Sequence, residues 1–214
     1  RWLQQRGAVL RWSARVQRIE PDAQSCWHVD GERFDAVLLA CSAHEAARLA
    51  QPHAAGWATT AAAFAYEPIV TVYLQSPGAR LPSPMVALQA GPDAPAQFAF
   101  DLGALDPSGA RSGLFAFVVS GAKAWVEAGL DATAQATLRQ ARSAFGHIAW
   151  QGLRTIAERR ATFLCTPGLA RPPTHIAPAL AAAGDYVDGP YPATIEGAVR
   201  SALKALDTLG LRKL

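Results

Sequence analysis

The first fifty residues alternate short apolar runs with polar turns, in the manner of a β-meander. Short strand-like runs occur at 8–10, 16–20 and 26–29, with polar segments between them. The pair Asp30-Gly31 is a hairpin turn signal. Residues 36–40 lack polar alternation, which predicts a strand covered on both faces, and 44–50 predict a short helix.

From about residue 51 the pattern changes. An Ala-rich stretch leads into four strand-like runs, separated by Pro and Gly, at 68–74, 85–89, 97–102 and 114–120. These runs predict four strands of an antiparallel sheet. A helix is predicted over about 133–145 and another strand over 153–163. We therefore expect the middle of the chain to form a separate α+β unit.

The last forty residues carry the strongest signal for a binding site. The apolar run 176–183 predicts a buried strand, and Gly184-Asp185 at its end would let the backbone approach a ligand beside a carboxylate. A helix is predicted to begin near Ala193-Thr194, with Pro192 near its first turn. Unpaired N–H groups and the positive end of the helix dipole favour an anion or an electron-rich group there.

The final helix also carries an apolar stripe at helical spacing, which we expect to be buried in the core. Its members are Ile195, Ala198, Val199, Ala202, Leu203 and Leu206.

Composition narrows the function. The chain has 214 residues, of which 50% are hydrophobic and 17% charged, enough to bury a core in one or two domains. Its net charge of +3 comes from scattered Arg, without a run of like charges or regularly spaced aromatics, so nucleic acid is not an expected partner. No apolar stretch is long enough to span a membrane. We expect a cytoplasmic protein for which peripheral membrane contact stays open.

Cysteine and histidine spacing predict neither disulfides nor metal. The three cysteines, Cys26, Cys41 and Cys165, lie far apart and are expected to be buried structural thiols of a reducing compartment. The five histidines lack ligand spacing and have no clustered Cys or carboxylate partners, so no metal is predicted.

The carboxy-terminal segment resembles the flavin motif of the flavin amine oxidase and phytoene desaturase superfamily. The resemblance rests on Gly184-Asp185-Tyr186-Val187-Asp188 and on the helix start over 191–201. Within this superfamily the chain looks most like the squalene-associated FAD-dependent desaturases, or hydroxysqualene dehydroxylases. Their pattern is matched by Arg160-Ala161-Thr162-Phe163, Pro167-Gly168, Arg171-Pro172 and Gly184-Asp185. Residues 15–19, 30–31 and 34–40 resemble the central part of the family's FAD domain.

This resemblance implies a fold of the α/β plus α+β class. A partial FAD-binding domain, Rossmann-like and of GR2 type, would comprise 1–50 and 166–214, and an antiparallel-sheet substrate domain would be inserted as 51–165. The family's Gly-x-Gly-x-x-Gly turn is absent, and Met85 is the only methionine. We therefore expect the carboxy-terminal part of a longer flavoprotein, inactive and without FAD on its own. Apolar surface left by missing strands would favour self-association.

The resemblance also implies roles for individual residues. Asp185, with Gly184, would hydrogen-bond the ribityl or pyrophosphate side of FAD; otherwise Asp185 caps a turn. The amides of Ala193, Thr194 and Ile195 would approach the pyrimidine end of the isoalloxazine; otherwise they form an ordinary helix start. The backbone of Val16 would hold the adenine edge; otherwise Val16 is an ordinary strand valine.

The expected activity is FAD-dependent oxidoreduction, by hydride transfer at flavin N5, of an apolar isoprenoid of the squalene, hydroxysqualene or carotenoid type. Two alternatives stay open: a flavin-containing amine oxidase, and a cofactor-free structural or interaction remnant. Amine-oxidising relatives often place a Lys near flavin N5, and Lys123 is the only Lys before the final helix. We do not assign it, because a position on a solvated turn is the more frequent explanation of such a Lys. No catalytic side chain is predicted, because the flavin performs the chemistry.

Overall fold

The computed structural model describes residues 2–24 and 26–211. They form two compact units: Arg1–Phe64 together with Cys165–Leu214, and Ala65–Leu164. The assignment of a FAD-binding domain to 1–50 and 166–214 and of a substrate domain to 51–165 stays a prediction.

The discontinuous unit begins with a short helix and a β-meander. Helix α1 (Trp2–Gln5) is followed by strands β1 (Ile19–Pro21), β2 (Trp27–Val29) and β3 (Glu32–Phe34), which form an antiparallel sheet in that order. The predicted hairpin joins β2 to β3: Asp30 and Gly31 have φ of 48° and 90°, as a two-residue turn of this hand requires.

Two predictions for this segment are wrong. Residues 8–10 form no strand, and the Val9 side chain is 80% exposed. Of the strand predicted over 16–20, only the last two residues pair with another strand, because β1 starts at Ile19. Residues with a preference for strands do not form one without a neighbouring strand. In the described part of the chain, no strand pairs with 8–10 or 16–18.

A second sheet joins distant parts of the sequence. Strands β10 (His175–Ala177) and β11 (Leu180–Ala182) are antiparallel, and β11 pairs in parallel with β4 (Val37–Leu39). The prediction of one strand over 176–183 is wrong, since the chain reverses after Pro178 with Ala179 at φ 56°. Proline has no N–H for a ladder, so the apolar run is split into a hairpin.

Three further helices belong to this unit: α2 (Ala43–Ala50), α3 (Ala55–Ala62) and α6 (Ile195–Thr208). Helix α2 confirms the predicted helix after β4. Helix α6 packs on one face of the second sheet, where Ala205 and half-buried Ala202 and Leu209 contact Ala181, Ala183 and Leu38. Small side chains on both sides allow this close approach.

The continuous unit is an antiparallel sheet of five strands. In chain order they are β5 (Tyr66–Gln75), β6 (Met85–Ala87), β7 (Phe98–Asp101), β8 (Leu114–Val119) and β9 (Gln151–Phe163), and they lie in the order β6-β7-β8-β5-β9. Helices α4 (Lys123–Ala128) and α5 (Leu130–Ala144) connect β8 to β9. The four predicted strands and the predicted helix are present, and the strand predicted over 153–163 is the fifth member of the same sheet.

The two faces of this sheet differ. Alternate residues of β5 and β8, among them Val70, Val72, Phe115 and Phe117, are buried in a core that includes Trp150 and residues of α4 and α5. The opposite face is covered by neither helix of its unit. We call it the open sheet face; it carries Glu67, Ile69, Thr71, Tyr73, Met85, Phe98, Phe100, Ala116, Val118, Arg154, Ile156 and Glu158.

Cysteine burial differs from the expectation. Cys26 and Cys41 are half-buried and Cys165 is exposed, so the prediction of buried structural thiols is wrong. Desolvation raises the pKa of the Cys41 thiol. Among residues 2–24 and 26–211, no group of three or more His, Cys, Asp or Glu side chains could hold a metal ion. No helix of the described part is both long and apolar enough to cross a membrane.

Candidate functional site

Asp185 lies three residues after β11, in the loop that leads to α6. Its carbonyl accepts a hydrogen bond from the Ala193 N–H at 3.2 Å, which closes the loop. Its side chain is half-buried, and desolvation raises the pKa of the carboxyl group, an effect that the backbone N–H groups of Asp185 and Tyr186 partly offset. No basic side chain of the described chain is among the groups that act on this pKa. The carboxylate is therefore available as an acceptor for a hydroxyl or amide donor.

The start of α6 is fixed by Thr194. The Thr194 side chain caps the helix: its Oγ1 accepts a hydrogen bond from the Gly197 N–H at 3.0 Å and donates one to the Tyr191 carbonyl at 2.7 Å. Pro192 lies two residues before this cap, in the tight turn that precedes the helix, where its fixed φ suits the backbone.

Three backbone N–H groups at this helix start have no acceptor in the described part of the chain. They belong to Thr194, Ile195 and Glu196. The Ala193 N–H, by contrast, is occupied by the Asp185 carbonyl. Of the three predicted donors, Thr194 and Ile195 are available and Ala193 is not. Glu196 is a donor that sequence reasoning missed, because it could not say which residue caps the helix.

The turn before α6 has an unusual backbone. Tyr191 and Ala193 have φ of 60° and 56°, a left-handed conformation that residues with a Cβ seldom adopt. Gly197 lies against the same turn, where a Cβ would overlap the Tyr191 carbonyl. Several contacts thus hold strained backbone in place, as is frequent at ligand sites. A Gly in the first turn of a helix is a sequence signal that could have revealed this close approach.

Gly184 has a structural explanation of its own. Its N–H donates to Ser201 Oγ at 2.9 Å, and the Ser201 hydroxyl lies 3.0 Å from the Gly184 carbonyl. A Cβ at Gly184 would overlap the ring of Tyr186, which is 3% exposed. Gly184 therefore lets the β11 end pack against α6 and Tyr186, and its role toward a ligand stays a prediction. Ser201 was missed because a lone serine in a helix carries no pattern.

Val16 lies apart from these residues. It belongs to no strand, and its carbonyl accepts a hydrogen bond from Arg48 Nη2 of α2 at 2.7 Å. Arg48 Nη1 bonds the next carbonyl, that of Gln17, at 2.7 Å. The Val16 carbonyl thus already accepts one hydrogen bond from a guanidinium group, and a role of the Val16 backbone toward an adenine edge stays a prediction. No hydrogen bond between described residues joins Val16 to the Gly184–α6 region.

The predicted burial of the α6 stripe is wrong in part. Ile195, Val199 and Leu203 are 86%, 51% and 46% exposed, while Ala198, Ala202 and Leu206 are half-buried. The buried face consists of Gly197, Ser201 and Ala205. Small residues rather than the largest apolar ones contact the rest of the unit, because the loop over 184–191 and β11 approach the helix closely.

Comparison with known families settles the class of protein. The model of the family described as flavin containing amine oxidoreductase matches residues 2–207. The chain belongs to this family. The match covers nearly all described residues, including the loop after β11 and α6.

Solved structures support the same fold. An oxidoreductase from Methanosarcina mazei superposes with a TM-score of 0.65 at 14% identity, covering 90% of this chain and 48% of that one. Cyclohexylamine oxidase from Brevibacterium oxydans gives a TM-score of 0.63 at 18% identity, covering 91% and 47%. This flavin-containing amine oxidoreductase chain thus spans just under half the length of both proteins. No curated protein sequence matches it.

The residues around Asp185 fit the flavin of this family. A flavin dinucleotide offers hydroxyl donors along its ribityl chain and carbonyl acceptors on its ring. The Asp185 carboxylate can accept from the former, and the Thr194, Ile195 and Glu196 N–H groups can donate to the latter. The α6 dipole adds a positive potential at the same place.

Proposed function

We propose that this chain is the carboxy-terminal part of a FAD-dependent oxidoreductase of the squalene-associated desaturase type, acting on a long apolar isoprenoid. The observation that carries the proposal is the arrangement at the start of α6. The Asp185 carboxylate, which has no ion-pair partner among the described residues, and the unpaired amides of 194–196 lie at the two ends of a loop closed by the hydrogen bond from Ala193 N–H to the Asp185 carbonyl. Membership of the flavin-containing amine oxidoreductase family supports the redox chemistry.

FAD, when bound, would supply hydride transfer at N5 of its ring. The chain's own residues would bind and orient it: the Asp185 carboxylate would accept a hydrogen bond, and the amides of Thr194, Ile195 and Glu196 would donate. The N-terminal end of α6 favours negative charge on a group held against it. Thr194 and Gly197 keep the donors in position through the capped turn.

The open sheet face supports an apolar substrate. Its apolar part is formed by Phe98, Phe100 and Val118 of strands β7 and β8 and by Met85 of edge strand β6. Its charged residues are Arg154 and Glu158 on the other edge strand, β9, and Glu67 near the start of β5. Met85 and Phe98 are 53% and 38% exposed. An apolar surface of this kind marks a site for an apolar ligand or partner. A substrate that partitions into lipid is consistent with peripheral membrane contact of a cytoplasmic enzyme.

Amine oxidation is the alternative activity, and the family's description favours it. Lys123 does not support it, because this exposed residue begins α4, on the helix side of the sheet rather than on the open face. The two activities separate in anaerobic mixing of the complete polypeptide with hydroxysqualene or with cyclohexylamine. Loss of the hydroxyl group of hydroxysqualene as water consumes a hydride, so we expect hydroxysqualene to restore the absorbance of a flavin that has been reduced beforehand, whereas cyclohexylamine should fail to bleach the oxidised flavin. Bleaching by the amine alone would replace our substrate assignment.

A cofactor-free remnant is the second alternative. The phosphate-binding turn is absent from this sequence, and much of the affinity for a dinucleotide comes from such a turn. We expect residues 1–214 alone to be folded and colourless, and the complete polypeptide to show a flavin spectrum. A complete polypeptide that is folded but colourless, even after incubation with added FAD, would favour the remnant.

A further inference from the structure

We propose that Arg171 is a positioning residue of the candidate flavin site. Its guanidinium group holds the loop between β11 and α6 in the ligand-binding conformation before a ligand binds. We call residues 185–193 of this loop the site loop. The role of Arg171 rests on the proposed function, because it concerns affinity for the flavin.

The guanidinium group of Arg171 contacts the middle of the site loop. Its Nη1 donates a hydrogen bond to the Val187 carbonyl at 3.0 Å, and its Nη2 donates to the Gly189 carbonyl. The Asp188 carboxylate lies 3.5 Å from the same Nη2. Because the Arg171 side chain is only 13% exposed, water competes little for these bonds. One planar, rigid group thus fixes two carbonyls that are two residues apart.

The segment that carries Arg171 is itself anchored. The Pro172 carbonyl accepts a hydrogen bond from the Asp188 N–H of the site loop at 2.9 Å. The next carbonyl, that of Pro173, accepts one from Nε1 of Trp57 at 2.7 Å, and Trp57 is a buried residue of α3. Arg171 therefore extends from backbone that is fixed to a helix, so it can hold the site loop in place rather than follow its movements.

The site loop needs such support, because part of its backbone is strained. Tyr191 and Ala193 have left-handed φ angles, and the loop is closed by a single backbone hydrogen bond of 3.2 Å, from the Ala193 N–H to the Asp185 carbonyl. A loop of this kind that nothing else held would populate several conformations. A ligand would then have to order the loop on binding, and that cost would lower its affinity.

The positive charge of Arg171 is the competing explanation, since a charge alone attracts an anionic cofactor without ordering the loop. Lys carries the same charge but has a single nitrogen, which cannot bond both carbonyls in the geometry of the guanidinium group. Arg171→Lys therefore separates the two explanations, because it keeps the charge and loses the paired hydrogen bonds.

The test measures FAD affinity and loop order in the complete polypeptide. The wild type, Arg171→Lys and Arg171→Gln are stripped of FAD and titrated with it by fluorescence, well below their unfolding temperatures. Hydrogen exchange of the FAD-free proteins is followed at the Val187, Asp188 and Ala193 amides, which are hydrogen-bonded in the structure. Asp188→Asn is the matched control, because it alters only an exposed carboxylate beside the guanidinium group and leaves both carbonyl contacts.

We expect both Arg171 variants to bind FAD about tenfold more weakly than the wild type and to exchange the three amides faster, while Asp188→Asn behaves like the wild type. Wild-type affinity in Arg171→Lys would overturn the proposal, because charge would then suffice. Weaker binding with unchanged exchange would also overturn it. So would rapid exchange of the Asp188 and Ala193 amides in the FAD-free wild type, a result that needs no folded variant.

Failure of this role and failure of the proposed function give different results. A wild type that binds no FAD removes the proposed function, and the role of Arg171 with it. A wild type that binds FAD, together with Arg171 variants that bind it equally well, removes only the role of Arg171.

Discussion

At the scale of single residues, the Asp185 carboxyl group is the side chain of the candidate site that we expect to contribute most to ligand binding. Its carboxyl is half-buried, desolvation raises its pKa, and no described basic side chain pairs with it. A ligand that donates to this carboxylate would recover the desolvation energy. We predict that Asp185→Asn weakens FAD binding by the complete polypeptide about tenfold or more, measured by fluorescence titration of the apoprotein.

The same substitution tests the electrostatics of the fold. Because the folded-state pKa of Asp185 is raised, the proton stabilises the fold below the ordinary pKa, and this contribution is lost as pH rises through the folded pKa. Asp185→Asn should therefore not lower stability at neutral pH and should flatten its pH dependence above about pH 4, measured by urea unfolding.

Asp106 provides a control, because its pKa is shifted in the direction opposite to that of Asp185. Its pKa is lowered, chiefly by the Ser108 hydroxyl, so its contribution is present above the ordinary pKa and lost on acidification. Asp106→Asn should lower stability at neutral pH. An Asp185→Asn protein that behaves in the same way would contradict our account of the Asp185 environment.

Gly197 shows how a residue without a side chain shapes the site. A Cβ there would overlap the Tyr191 backbone carbonyl, which cannot move without disturbing the turn before α6. We predict that Gly197→Ala destabilises the fold by about 1–3 kcal/mol, measured by urea unfolding. Gly189→Ala is the control, because a Cβ there meets no atom within 4 Å. Equal stabilities of the two variants would contradict this prediction, since they would mean that the Tyr191 carbonyl can move away from a Cβ at position 197 at no cost.

At the scale of elements, the sequence predicted the regular parts well. Strands β5, β7 and β8 and helices α2, α5 and α6 follow from local periodicity, and the Asp30-Gly31 hairpin follows from turn chemistry. Periodicity could not reveal which face of α6 is buried. That depends on Gly184, Gly197 and Ser201, whose close packing is a tertiary effect. For the same reason the sequence did not show that Ala193 is an occupied donor and Glu196 an available one.

Thr194 links the α6 helix to the candidate site. Its side chain satisfies the Gly197 N–H and fixes Tyr191, so the remaining amides keep their direction. We predict that Thr194→Ala lowers stability by about 1 kcal/mol and weakens FAD binding, whereas Thr194→Ser restores both, measured by urea unfolding and FAD titration. Thr208→Ala, at the exposed end of the same helix, is the control. Wild-type FAD binding by Thr194→Ala would contradict a role of the capped turn.

At the scale of the whole molecule, the open sheet face is the surface that we assign to the substrate. Its apolar part lies on β6, β7 and β8, away from the charged residues of β9. We predict that Phe98→Gln raises the KM of the complete enzyme for an isoprenoid about fivefold to tenfold with little change in kcat, because it removes binding common to substrate and transition state. Leu105→Gln removes an apolar side chain that is also exposed but lies off this face, so it should leave both constants unchanged. A fall in kcat alone would argue against a substrate-binding role.

The central claim is that the loop after β11 and the start of α6 hold a flavin. The most direct measurement is the visible absorbance of the complete polypeptide after gel filtration, for the wild type and for Asp185→Asn. Our account predicts a stoichiometric flavin spectrum in the wild type and a largely colourless, folded variant. A folded wild type without flavin, or a variant that retains flavin as firmly as the wild type, would contradict it.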